Sequence, residues 1–369
     1  MGHDDPRRPA SRPELVERIH DEIEASSDRR ITFARFMERA LTEPGLGYYA
    51  ASDLRPTRAG DFLTAAELHP FFGRCLGRFL VSAMARLGED GQLAVTEYGA
   101  GRGRLETDVR AGLAADGEML ADRLVWHGVD LPGRSVDRPG GPFEGVVIAN
   151  EFLDALPVHR LVVIEGELRE RWVTWGQGWF ADAVAPLSNP AVAADVLAAG
   201  IELAEGQELE TRPAATTWLA DVASRLGHGL VLVIDYGHPA AELYGPRRRA
   251  GTLVTYRDHV AGDDPYDAVG RQDLTAHVDL SALERAADAA GLVSAGSTDQ
   301  ARFLERLGLG ALLDDLGHDR ATGMADYAAA RGAVLRLIDP RHLGGFRVLA
   351  WERTPNGSDR PALRGLADT

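Results

Sequence analysis

The sequence contains no lysine; all 40 of its Lys/Arg residues are arginine. A P-loop needs its lysine on the phosphates and a Schiff-base enzyme needs a lysine amine, so both classes are excluded. Cysteine is almost as scarce. Cys75 is the single one, which rules out an intramolecular disulfide and a cysteine-based zinc site. His277 and Asp279 lack the spacing and partners of a metal site, so no metal is expected. No apolar run approaches about 18 residues, so no membrane span is expected. The N-terminal residues are charged and carry no apolar stretch, unlike a secretory signal. These absences point to a cytoplasmic protein. A basic surface is also lacking: the net charge is −16, which argues against non-specific nucleic-acid binding and suits a basic partner. What remains is ordinary. At 369 residues, 45% hydrophobic and 26% charged, the chain is a globular one with room for a core domain and a sizeable insertion.

Ser11-Arg12-Pro13-Glu14 reads as a capping box that opens a helix with Leu15, Ile19 and Ile23 on one face. Thr32 caps a second helix carrying Phe33, Phe36, Met37 and Leu41, stopped by Pro44 and Gly45. A long amphipathic helix runs from about Glu67 to Leu87. Residues 1–90 therefore read as an N-terminal helical subdomain. From Gln92 onward short apolar runs alternate with helical segments, the pattern of βαβ units and a mostly parallel, Rossmann-like α/β sheet over 91–158 and 208–353. Residues 159–207 break that rhythm. A hairpin turning at Glu165-Gly166 and the tryptophans Trp172, Trp175 and Trp179 mark an inserted, β-containing lobe. Asp279 or Ser281 starts a helix that Gly291 ends, and the polar residues 354–369 read as a flexible tail.

The strongest local signal is Glu97-Tyr98-Gly99-Ala100-Gly101-Arg102-Gly103, placed between a strand and a helix. Glycines let the backbone turn sharply and lie against a ligand, and a helix N-terminus follows. The dinucleotide fingerprint wants glycine or alanine where this chain has Arg104, so a nicotinamide dehydrogenase fits poorly. An acid two residues ahead of the first glycine suits S-adenosylmethionine, which has an amino group and a sulfonium but no pyrophosphate. A tight structural turn is the plainer alternative. Asp130 ends the next apolar run, where an acid accepts hydrogen bonds from ribose hydroxyls, unless it is an ordinary loop aspartate before Pro132. Asn150-Glu151-Phe152-Leu153-Asp154-Ala155-Leu156-Pro157 follows another buried strand and is expected to border the cleft, with Asn150 on the cofactor side. Glu151 and Asp154, three residues apart, can share one face of a helical turn and orient an amine or cationic nucleophile; a helix start carrying favourable acids explains them too. His238, in Asp235-Tyr236-Gly237-His238, is the candidate base, although a lone histidine there is more often structural. Arg247-Arg248-Arg249 reads as a solvated loop.

Several of these stretches resemble the MidA-type methyltransferases. Gly60-Asp61-Phe62-Leu63-Thr64, Phe72-Gly73, Gly99 to Leu105, Ala149 to His159, Asp235 to His238 and Thr275 to Leu280 stand in that family's order, from about Ile31 to Trp351. The resemblance implies a class I methyltransferase fold with an inserted lobe, S-adenosyl-L-methionine as cofactor, and a protein arginine as acceptor. It places Gly60, Asp61, Phe62 and Thr64 at the border of the cofactor pocket, and Glu97, Gly99 and Gly101 in its lining, with Gly103 closing the motif. Glu151 and Asp154 would face the acceptor. The chain departs from the family pattern at Ala66, at Ala100 and Arg104, and at Asp130-Leu131-Pro132. It also looks shortened between Pro132 and Gly145, where a crossover helix and a third strand would stand.

The leading expectation is thus an S-adenosylmethionine-dependent methyltransferase acting on a protein arginine nitrogen. The alternatives are a small-molecule, biosynthetic methyltransferase and a non-catalytic assembly or binding factor with a degenerate pocket. The expected partner is a protein or small-molecule methyl acceptor, with no nucleic acid and no membrane, and a homodimer is left open.

Overall fold

Six strands with long apolar runs build the sheet that carries the glycine motif. They are β1 (Leu93–Tyr98), β2 (Leu124–Val129), β3 (Phe143–Asn150), β4 (Leu226–Asp235), β5 (Val293–Asp299) and β6 (Arg347–Arg353), in the order β5-β6-β4-β3-β1-β2. The computed structural model describes residues 10–51, 64–131, 141–257, 260–353 and 361–366. β1 pairs in parallel with β2 and β3, and β3 with β4; β6 and β5 run antiparallel at the far edge. Val146 to Ala149 and Leu230 to Ile234 are buried throughout. Such continuous burial requires cover on both faces and explains why these runs do not alternate. Among the described residues β2 is the edge strand.

The chain divides into two units, and this sheet belongs to the one formed by Leu63–Leu153, Leu219–Tyr236 and Ala286–Thr369. Its helix Phe71–Leu87 packs on the helix Arg104–Ala115 with unusually little separation. A Cβ added at Gly73 would lie 2.5 Å from the Asp108 Cβ, and one at Gly112 would lie 2.6 Å from the Arg74 Cα. Only glycine permits that approach, and the helix following the glycine motif is thereby fixed in place. The expected Glu67–Leu87 helix is in fact two, Ala65–Leu68 and Phe71–Leu87, because Pro70 interrupts the ladder. The tail also differs from expectation over residues 361–366: Leu363 and Leu366 are buried in the same core, and Arg364 N–H donates to Ser82 Oγ at 3.1 Å.

The other unit comprises Met1–Phe62, Asp154–Trp218 and Gly237–Arg285. Its antiparallel sheet joins Arg30–Thr32, Glu167–Gly176, His159–Ile164 and Glu208–Thr211, with Trp179–Ala185 also paired to the long strand. Glu165 (φ 55°) and Gly166 (φ 73°) make the hairpin turn, both in the left-handed region that a two-residue turn requires. Trp175 and Trp179 pack with Phe36, Phe180 and Tyr266 in this unit's core. The first helix, Pro13–Ala25, is not closed by the expected capping box: Ser11 Oγ accepts from Val269 N–H at 2.9 Å instead. Thr32 does cap its helix, accepting from Arg35 N–H at 3.1 Å. The sequence-based segments are thus cut across. Residues 10–51 join the lobe around 159–207, because Phe33, Phe36 and Leu41 bury against its strands, whereas the helix Phe71–Leu87 buries against the parallel sheet.

Candidate functional site

The parallel strands end side by side, so the residues that follow them share one edge of the sheet. Glu97, one residue before the end of β1, is buried, and its Oε2 accepts from Trp126 Nε1–H on β2 at 2.9 Å. Burial pushes the Glu97 carboxyl up to about 7, against the lowering by Trp126, and the nearby Glu106 and Asp130 push the same way. Gly99, Gly101 and Gly103 follow at φ 76°, 55° and 71°. Three left-handed residues in five let the chain double back before the helix at Arg104, a path that side chains with a Cβ rarely take. Gly99 N–H donates to Val129 O at 2.8 Å, and Gly101 N–H donates to Asp130 Oδ2 at 2.5 Å. Asp130 Oδ1 accepts from Leu131 N–H at 2.6 Å. The acid that the sequence placed one strand beyond the glycines therefore lies directly on their loop.

The segment after β3 meets the same loop. A Cβ at Gly99 would come within 3.2 Å of the Phe152 ring, and Tyr98 and Phe152 have ring centroids 5.7 Å apart. Glu151 stands at φ 49°, a left-handed conformation uncommon for a residue with a side chain. Its N–H donates to Ile234 O at 2.9 Å, and its Oε1 accepts from Ala65 N–H at 2.6 Å and from Asn150 Nδ2 at 3.2 Å. Thr64, the cap of the short helix Ala65–Leu68, is brought next to Glu151 by that bond.

A residue whose part the sequence did not disclose is Asp235. It is fully buried, and its carboxylate accepts from Leu153 N–H and Tyr236 N–H, each at 2.8 Å. It anchors the Asn150–Leu153 loop to the end of β4. Its position as the last residue of a buried apolar run was the one available signal.

The helical reading of the acidic pair is corrected. Residues 151–157 form turns and bends, not a helical turn, so Glu151 and Asp154 do not share a helix face. The left-handed Glu151 and the bond from Leu153 N–H to Asp235 start another path, and Pro157 supplies no N–H to close a helix. Asp154 belongs to the other unit. There its Oδ2 accepts from Thr275 Oγ1 at 3.2 Å, its backbone oxygen accepts from Arg212 Nη2 at 2.9 Å, and desolvation raises its carboxyl. His238 lies in that unit too. Its Nε2 is 2.9 Å from Arg248 Nη2, so the ring accepts from a guanidinium there and that nitrogen is committed. A cavity in this unit, lined by Glu210, Arg212, Tyr244, His277 and Asp279 among others, includes neither Asp154 nor His238. Gly60, Asp61 and Phe62 lie outside the described residues.

The sheet-edge cluster fits S-adenosylmethionine on its own terms. Among the described residues a Cβ at Gly101 would meet nothing nearer than Gly99 O at 4.0 Å, so they leave open space on that side of the loop. A buried carboxyl and a second acid one strand over suit an ammonium group and ribose hydroxyls.

Comparison with known proteins agrees. Residues 109–298 match a family model described as "Putative S-adenosyl-L-methionine-dependent methyltransferase". The chain is 28% identical over 371 residues to the mitochondrial protein arginine methyltransferase NDUFAF7 homologue of Drosophila melanogaster, covering 87% of this chain and 81% of that one. It is 27% identical to mitochondrial NDUFAF7 of Danio rerio, covering 76% and 73%. A Burkholderia thailandensis protein crystallised with S-adenosyl-homocysteine superposes with a TM-score of 0.81 at 32% identity, covering 97% and 96%. These relatives also overturn the expected cytoplasmic location, since the curated ones are mitochondrial proteins by name. Geometry and relatives together place this chain in that family: it is a class I, S-adenosylmethionine-dependent methyltransferase.

Proposed function

We propose that the chain transfers its methyl group to a nitrogen of a protein arginine. The observation that carries this reading is the Glu151 carboxylate, held at the strand end by Ala65 N–H and Asn150 Nδ2 beside the glycine loop. A fixed anion there suits a guanidine, whose N–H groups pair with carboxylates and whose charge the anion draws toward the nitrogens not being methylated. The naming of the fly and zebrafish relatives as protein arginine methyltransferases supports the same acceptor.

Bound S-adenosylmethionine supplies an electrophilic methyl on a sulfonium, which is already a good leaving group. The chain's own work is then positioning. In this reading Glu97 pairs with the cofactor's ammonium group, and Asp130 keeps lone pairs for ribose hydroxyls while steadying Gly101. Gly99, Gly101 and Gly103 hold the backbone back from the ligand, with Thr64 at the border. Glu151 fixes the acceptor guanidinium and takes the N–H proton that the methylated nitrogen gives up, with neutral S-adenosyl-homocysteine as the leaving thioether. Asp154 and His238 are left out of the reacting set, since Thr275 and Arg212 engage the first and Arg248 the second.

The test is to incubate the purified protein with methyl-tritiated cofactor and a cell extract, then separate protein from small molecules and hydrolyse the protein. Label recovered as methylarginine is the expected result. Label confined to low-molecular-weight compounds contradicts the arginine acceptor and leaves the methyltransferase assignment standing.

A further inference from the structure

At the end of β3, Asn150 Oδ1 is shielded from solvent and has no hydrogen-bond partner among the described residues. A buried amide oxygen left this way is an uncommon cost, because nearly all such groups in folded proteins are paired. Its orientation is not arbitrary. The other end of the same amide donates to Glu151 Oε1 at 3.2 Å, and a carboxylate can only accept, so the nitrogen must face Glu151 and the oxygen must face away. The residue next in line stores strain: Glu151 is held at φ 49° by its N–H bond to Ile234 O. Two residues on, Phe152 packs against Gly99. An unsatisfied acceptor, a strained neighbour and the glycine loop therefore meet at one strand end.

We propose that Asn150 is the residue that receives the acceptor nitrogen: its Oδ1 accepts one N–H of the guanidine to be methylated. This rests on the arginine reading above and deepens it. The hydrogen bond fixes the plane of that nitrogen, so its lone pair, perpendicular to the plane, is aimed while the N–H is held. A neutral amide suits the task because it takes no proton at working pH. It also selects by chemistry. A nitrogen that still carries hydrogen satisfies Oδ1, whereas a cation of equal charge without N–H leaves it unpaired. The cofactor's amino group presents N–H groups as well, and the experiment separates the two sources.

The full-length protein, saturated with S-adenosyl-homocysteine, is titrated with guanidinium chloride and with tetramethylammonium chloride, a cation that carries no N–H. Unsubstituted protein is compared with Asn150→Ala and with Asn150→Ser, whose neutral hydroxyl can accept from a guanidine and donate to Glu151 as the amide does. Guanidinium affinity is expected to fall roughly tenfold in Asn150→Ala, the size of one lost hydrogen bond, and to recover in part in Asn150→Ser. Tetramethylammonium binding and S-adenosyl-homocysteine affinity stay unchanged, the latter also reporting that the variants fold. Guanidinium binding that ignores the Ala substitution overturns the role of Asn150 and leaves the arginine reading intact. A parallel loss of S-adenosyl-homocysteine affinity overturns it too, by showing that the amide serves the cofactor. No guanidinium binding in the unsubstituted protein overturns the guanidine acceptor along with it.

Discussion

Glu97 shows how burial and function meet in one side chain. Its carboxyl is raised to about 7 by desolvation, so near neutral pH the empty site is divided between protonated and charged forms. A cofactor ammonium favours the charged form, and binding must then release a proton from the protonated fraction. S-adenosyl-homocysteine affinity should therefore rise from pH 6 to pH 8 and level off above. Calorimetry across that range checks the slope, and Glu97→Gln should flatten it. The sign for stability runs the other way. The folded protein holds this proton more tightly than the unfolded chain, so Glu97 contributes less stability as pH rises from the ordinary carboxylate range to about 7. Much at this scale was legible. Glu97, the glycines and Asp130 stand out because a strand, an acid and a helix start surround them in sequence. Asp235 was legible only as a strand end, since its bonds to Leu153 and Tyr236 join residues that folding alone brings together.

Between elements, glycine sets distances. Gly73 and Gly112 bring two helices together without side chains, and Gly73→Ala should cost about 1–3 kcal/mol through overpacking, read from urea unfolding. The C-terminal segment makes a comparable contribution. Leu363 and Leu366 are 5% and 7% exposed, so replacing both by alanine should cost roughly 4–8 kcal/mol if the two effects add, lowering the unfolding midpoint. Composition hid that docking, because two leucines in a polar stretch carry no periodicity. The same limit explains the misread Ser11 and Glu151–Asp154. Local spacing proposed a capping box and a helical turn, and bonds from Val269 and to Asp235 won over local preference. The hairpin at Glu165-Gly166 and the cap at Thr32 were read correctly because a turn and a cap are decided within a few residues.

At the scale of the molecule, the described residues assigned to the cofactor, from Thr64 through Glu97, the glycines and Asp130 to Asn150, lie in the unit with the parallel sheet. Hydrogen exchange should accordingly show protection by S-adenosyl-homocysteine centred on residues 97–104, 126–131 and 148–153. Protection confined to the antiparallel sheet of the other unit would contradict that assignment. The parallel sheet was legible because buried strands alternating with helices have few other solutions. The division of the chain was not. Three separate stretches make each unit, and no local composition reveals which of them share a core.

The most direct test of the central claim, that the glycine loop at the end of β1 holds S-adenosylmethionine, is a calorimetric titration of the unsubstituted protein and of Gly101→Val. Gly101 sits at φ 55°, where a branched side chain is strained, and the new methyl groups would enter the open space beside the loop. Saturable binding to the unsubstituted protein, lost in a Gly101→Val protein that still unfolds cooperatively, is the predicted result. Equal binding by both proteins, or none by either, would contradict it.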